Sequence, residues 1–146
     1  MEKIIIASDH AGFRLKEKLV SWLISHRYEV KDIGSFSEDS VDYPDFAHPL
    51  AEAVEKGDFS YGITICGSGN GINMATNKHQ KIRSAVCWCE EISKLARSHN
   101  DANICSLPGR FLKEAEAIAI VKTFLTTDFE GGRHKRRIDK IPVKNP

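Results

Sequence analysis

Tyr61-Gly62-Ile63-Thr64-Ile65-Cys66-Gly67-Ser68-Gly69-Asn70-Gly71 is the stretch on which the reading of the chain turns. Tyr61 to Ile65 is short, apolar and bounded by a glycine-rich segment, as a buried strand is. Cys66 to Gly71 reads as a loop, and a short helix follows between Ile72 and Asn77. A strand that passes through a glycine loop into a helix is one unit of an alternating α/β chain.

The residues on either side repeat that alternation. Ile4-Ile5-Ile6-Ala7 is continuous, β-branched and too short for a helix, so it is read as a buried strand. From Ala11 to Ser25, Phe13, Leu15, Leu19, Trp22 and Leu23 line one helical face. Val30 to Ile33, closed by Gly34, is a second strand, and Pro44 opens a helix carrying Phe46, Leu50 and Val54. Downstream, Ser84 to Val86 is read as strand, Glu90 to Ser98 as helix and Asn103 to Ser106 as strand. Phe111 to Leu125 carries Leu112, Ala115, Ile118, Ala119 and Lys122 on overlapping helical turns, and a last short helix follows Gly131-Gly132. Five strands separated by helices predict a five-stranded parallel sheet covered on both faces, a Rossmann-like three-layer α/β/α sandwich. With no internal repeat, low-complexity tract or long linker, residues 1–146 are expected to form one domain.

Size and charge narrow the function classes. A chain of 146 residues buries about two-thirds of its unfolded surface, so it needs no disulfide or metal staple. At 41% hydrophobic and 28% charged it is expected to be soluble and globular rather than disordered. The formal net charge of +1 removes any whole-molecule argument for nucleic acid or membrane as a partner. No apolar run is long enough to span a bilayer, and Met1 leads straight into Ile4 without a signal-peptide pattern. The expected compartment is the cytoplasm, where Cys66, Cys87, Cys89 and Cys105 stay reduced. A zinc site is disfavoured, because there is no C-x-x-C pair and the closest spacing is Cys87-Trp88-Cys89.

In open parallel sheets ligands sit beyond the carboxyl ends of the strands. That rule selects Asp9-His10, the loop Cys66–Gly71 and the segment His99-Asn100-Asp101. Gly67, Gly69 and Gly71 let successive N–H groups converge on an anion, and a helix starts just beyond. The dinucleotide pattern fails at Ile72, no Gly-Lys-Ser/Thr is present for a P-loop, and no arginine closes the loop as a cysteine phosphatase requires. What remains is an anion-cradling loop with a thiol at its mouth, a setting that favours thiolate. Cys87 and Cys105 are read as small buried hydrophobes, while His26, His48 and His79 are read as surface residues. His10 and His99 stand at expected strand ends, where imidazole can exchange protons near neutrality. His134 lies in the basic run from Arg133 to Arg137, and its reading stays open. Arg133 and Arg137, four apart, would clamp a phosphate from one helical face; the competing reading is a solvated basic tail. The run is short and lacks interleaved aromatics, which speaks against nucleic acid.

Five blocks in order carry a resemblance: Ser8-Asp9-His10-Ala11-Gly12, Asp42-Tyr43-Pro44-Asp45, Ile65–Gly71, Ser98-His99-Asn100-Asp101-Ala102-Asn103 and Glu130-Gly131-Gly132-Arg133-His134. Together they resemble the type B ribose-5-phosphate isomerases, over essentially the whole chain. The resemblance implies interconversion of ribose 5-phosphate and ribulose 5-phosphate with neither metal nor organic cofactor. It also implies a homodimer, in some members a tetramer, with sites at the subunit interface, and a tail from about residue 130 to 146 that completes the site. Carried over, Cys66 is the proton-abstracting base and His99 the group that opens the furanose ring. Asp9, His10, Tyr43, Gly67, Ser68, Gly69, Asn70, Gly71 and Asn100 line the sugar, and Arg110, Arg133 and Arg137 contact phosphate. Some members use a glutamate where this chain has Ile72, which favours the cysteine version here. Ser68 replaces the threonine of other cysteine-type members and keeps the hydroxyl. The rival readings are the same chemistry on allose or galactose 6-phosphate, and a non-catalytic sugar-phosphate-binding protein.

Overall fold

The computed structural model describes residues 2–143, so Met1 and the end of the expected tail, 144–146, lie outside the described residues. Its elements are β1 (Lys3–Ser8), α1 (Phe13–Ser25), β2 (Glu29–Asp32), α2 (Pro44–Glu55), β3 (Tyr61–Cys66), α3 (Asn70–Thr76), β4 (Ser84–Val86), α4 (Glu90–Ser98), β5 (Ile104–Pro108), α5 (Glu114–Thr126) and α6 (Arg133–Ile138). All strand pairs are parallel, in the order β2-β1-β3-β5-β4. This is the α/β sandwich that the strand–helix alternation predicts.

Alternation along the strands feeds two cores. Ile4, Ile6, Ile63, Ile65 and Leu107 pack against α1, α4 and α5 through Leu19, Leu23, Ala96, Ala117 and Phe124. On the other face Ile5 and Ala7 meet Leu50, Ala51 and Val54 of α2. Cys66 ends β3 on that second face, with Ala47 and Ile72 as its buried neighbours.

The chain leaves β1 outward to β2 and returns to β3, so the winding reverses between β1 and β3. Ser8 is level with Ile65 there, and the Asp9 amide donates to the Ile65 carbonyl at 3.1 Å. Such a reversal leaves a crevice at the carboxyl ends of the two strands. Asp9-His10 and the glycine loop both open into it.

Several boundaries differ from expectation for local reasons. A 3-10 turn, His10–Gly12, precedes α1 because Asp9 Oδ1 accepts from the amides of Ala11 and Gly12, at 2.9 and 3.2 Å. Helix α3 begins at Asn70, inside the expected loop, with Gly69 before it at φ +78°, a conformation side chains disfavour. Helix α5 starts at Glu114 because Phe111 belongs to a turn on Pro108, and Glu116 reaches back to the Lys113 amide at 2.9 Å.

Candidate active site

One half of the expected site is assembled at the carboxyl ends of β1, β3 and β5. Cys66 is 5% exposed, and its carbonyl accepts from the Gly109 amide at 2.8 Å. The next carbonyl, of Gly67, accepts from the Arg110 amide at 3.0 Å. A methyl group at position 67 would lie 3.2 Å from Arg110 Nη1, so the guanidinium rests against the loop. Within the loop, Ser68 Oγ accepts from the Asn70 amide at 3.2 Å, a local turn that orients the N–H groups entering α3.

Tyr43 and His10 close the sides. Tyr43 precedes α2, and its ring lies so near the loop that a methyl at position 71 would sit 2.6 Å from Cζ. Only glycine admits the ring there. His10 Nδ1 accepts the Val41 amide at 3.2 Å, which leaves the proton of the neutral ring on Nε2. His10 is thereby a hydrogen-bond donor of fixed orientation. Asp9 spends Oδ1 on capping, so a role toward substrate falls to Oδ2.

A polar chain that the sequence did not reveal ties the loop's helix to the sheet. Ser84 Oγ donates to Asn73 Oδ1 of α3 at 2.6 Å. With that proton committed, Ser106 Oγ donates to Ser84 at 3.1 Å and Thr64 Oγ1 to Ser106 at 2.6 Å. Three strands thus position α3 through one directed chain.

The other half of the expected site lies elsewhere. His99 is not at the carboxyl ends, as its place in the sequence led us to expect. Helix α4 runs back antiparallel to the strands, so its C-terminal residue arrives at their amino ends. The Gly62 amide at the start of β3 bonds Asn103 O, four residues past His99, and Arg83 Nε at the start of β4 bonds Asn100 O at 3.1 Å. Cys66 ends the six-residue strand that Tyr61 begins, about 16 Å away at ~3.3 Å per residue.

The tail joins His99 rather than Cys66. Glu130 donates its amide to Ser98 O at 3.0 Å, and the His134 ring stacks on His99 with centroids 4.2 Å apart. Arg133 and Arg137 flank His134, and neither guanidinium has an ion-pair partner among the described residues. Removal from water, with the positive charges of His99, Arg133 and Arg137, holds the His134 imidazolium below the usual histidine range, against the pull of Glu130. The expected site residues therefore fall into two separate groups on one chain. Asp9, His10, Tyr43, Cys66, Gly67–Gly71 and Arg110 stand at one end of the sheet; His99, Asn100, Arg133 and Arg137 stand at the other.

The sequence leaves the reading of His134 open and gives Glu130 no role, yet both join this second group. The signal was present: four apart, they meet across the turn that enters α6. The other buried cysteines conform to expectation. Cys87 and Cys105 are both fully buried, and burial, together with the contact between their thiols, pushes the Cys105 thiol well up. His79 departs from expectation: it is half-buried, with Nδ1 3.2 Å from Glu55 and Nε2 2.8 Å from His48.

Comparison with known proteins agrees with the fold. The model of the ribose/galactose isomerase family matches residues 4–141. A probable ribose-5-phosphate isomerase B from Mycoplasma genitalium is 45% identical over 140 residues, covering 94% of this chain and 92% of that protein. Among solved structures, a ribose 5-phosphate isomerase from Thermotoga maritima superposes with a TM-score of 0.95 at 49% identity, covering 97% of each chain. Ribose-5-phosphate isomerase B from Mycoplasma genitalium, solved with bound ribulose 5-phosphate, superposes with a TM-score of 0.90 at 43% identity, covering 95% of this chain and 93% of the other.

Proposed function

The chain belongs to the ribose/galactose isomerase family, and from that premise we propose that it interconverts ribose 5-phosphate and ribulose 5-phosphate through an enediolate. The observation that carries the reading is the placement of Cys66. Its thiol ends β3 at the winding reversal, where the Gly67–Gly71 backbone turns into α3.

In this mechanism His99 protonates the ring oxygen as the furanose opens. Thiolate Cys66 then takes the proton from C2, and the electron pair left behind forms the C1–C2 double bond of the enediolate. That proton returns to C1 while the O2 hydroxyl proton passes to O1, so C2 becomes the carbonyl carbon and the product is the ketose. Negative charge on the enediolate oxygens falls to the loop N–H groups, and one well-aimed donor in a water-excluded site is worth about 3 kcal/mol. His10, with its proton fixed on Nε2, donates to a sugar hydroxyl or the phosphate. Arg110, Arg133 and Arg137 hold the phosphate, whose binding energy positions the reacting carbons.

The separation of Cys66 from His99 makes a second copy part of the proposal. In a twofold dimer the amino-end group of one chain closes the carboxyl-end group of its partner, and symmetry makes two such sites. We assign the protein to the cytoplasm, a reducing compartment that suits its four unpaired thiols. Among the described residues no helix is long and apolar enough to cross a membrane.

Cys66→Ala and Cys66→Ser, assayed on ribose 5-phosphate beside allose 6-phosphate and galactose 6-phosphate, test the reading. Turnover of the pentose phosphate is expected to fall at least ~100-fold in both variants. Near-wild-type turnover would remove Cys66 from the base role, and preference for a hexose phosphate would move the substrate assignment within the family.

A further inference from the structure

His99, Glu130 and His134 converge in a way that ring opening by His99 alone does not require. The His99 amide donates to Leu95 O at 2.9 Å at the end of α4, and the Glu130 amide is tied beside it on Ser98 O at 3.0 Å. His134 stacks on His99 with 15° between the ring planes. Both imidazoles turn Nε2 toward one carboxylate, at 4.0 Å from His99 to Glu130 Oε2 and 3.9 Å from His134 to Oε1. One ligand atom from each residue lies within 4.8 Å of the other two. These distances are too long for hydrogen bonds, so the three side chains border a gap.

The width of the gap has a chemical meaning. An ion held at about 2.0–2.2 Å by both a nitrogen and an oxygen separates them by up to ~4.2 Å, and by about 3.4 Å at a tetrahedral angle, so a small inward movement of these side chains brings them to coordination distance. We propose that His99, Glu130 and His134 form a binding site for a zinc-like transition-metal dication, and that an ion bound there stops the isomerase by occupying Nε2 of His99. The metal is an inhibitor in this proposal, not a cofactor. The second clause rests on the ring-opening role given to His99 above; the first does not.

Two imidazole nitrogens with one carboxylate oxygen form a donor set suited to zinc, cobalt and nickel, and three protein ligands leave a fourth position open. The rings must turn out of their parallel stack to aim both lone pairs at one ion. Side-chain exposures of 41% for His99 and 58% for Glu130 leave room for these two to turn toward His134, which is only 12% exposed. Arg133 and Arg137 oppose a dication, so the site is a reversible one rather than a structural clamp. The same guanidiniums attract phosphate in the proposed reaction, which makes metal and sugar phosphate competitors for one place.

Cobalt(II) titrated into the chelator-treated full-length protein reads coordination directly, through the visible absorption of a four- or five-coordinate ion. One equivalent per chain is expected to bind, with the band abolished in His134→Ala and affinity lowered by about tenfold or more in Glu130→Gln. Zinc is expected to lower ribose 5-phosphate turnover in step with occupancy, and chelator to restore it. The absence of a stoichiometric band overturns the site, as does a band that survives both substitutions. Retained circular dichroism in each variant separates lost ligation from lost folding, and Glu130→Gln tests the site even if His134→Ala undocks α6. Stoichiometric binding that leaves turnover unchanged upholds the site but overturns the inhibition, and with it the role of His99.

Discussion

Lys16 carries its charge with no exposed surface, and its neighbours explain how. Nζ bonds Asp32 Oδ2 at 2.6 Å and Glu17 Oε1 at 2.9 Å, and lies 5.4 and 5.2 Å from the ring centres of Phe13 and Phe36. The second oxygen of Asp32 accepts the Gly34 amide at 3.0 Å. Gly34 O and the Ser35 amide then bond the amide and carbonyl of Ser8, one residue before Asp9. The ion pair thus braces the turn that borders the thiol half-site. Removing Asp32 leaves the buried ammonium only the half-exposed Glu17 and takes the acceptor from the Gly34 amide, so Asp32→Ala is expected to cost about 3 kcal/mol of stability. Lys16→Met strands Asp32 and Glu17, whose side chains are 20% and 51% exposed and can hydrate, and should cost less, about 1 kcal/mol. Denaturant unfolding of both variants decides; equal losses would contradict the asymmetry. None of this was legible in the sequence. A lysine between Leu15 and Glu17 reads as a solvated helix residue, and its burial depends on an aspartate on another element.

Elements were far more legible than their ends. Glu90–Ser98 and Ser84–Val86 have the bounds that the sequence predicts, because apolar spacing and short β-branched runs are local signals. The end of the sheet to which α4 delivers His99 is not a local property. It follows from the parallel winding, which sends every connecting helix back to the amino edge. At the same edge α6 carries His134, whose ring stacks on that of His99. The folded-state affinity of His134 for a proton lies below that of an unfolded histidine, near pH 6.5, so the folded state binds fewer protons. The stabilisation is therefore present above about pH 6.5 and is lost as pH falls through the lower folded-state value. In chelator-treated protein, amide exchange in Arg133–Ile138 should accelerate between pH 7.5 and pH 5, after correction for intrinsic exchange, while β3 stays protected. His134→Gln should flatten that difference; an unchanged pH profile in the variant would remove His134 as the cause.

At the scale of the whole molecule, the two half-sites stand about a strand's length apart. No rotation of side chains closes such a gap, and bending a sheet packed on both faces would break both cores. An enzyme that needs Cys66 and His99 at one sugar must therefore take them from different copies, and mixed dimers provide a quantitative test. Cys66→Ala and His99→Ala are each expected to be nearly inactive alone. Unfolded together in equal amounts and refolded, they should form mixed dimers as half of the population. Each mixed dimer has one site with both substitutions and one with neither, so activity should return to about a quarter of wild type. If each site were built within one chain, every site in the mixture would carry a substitution and nothing would be regained. Recovery well below a quarter, with subunit mixing verified by mass, would count against a shared site. Recovery near that value would make dimerisation a condition of catalysis, and dilution below the dimer dissociation constant would then abolish turnover while each chain stays folded.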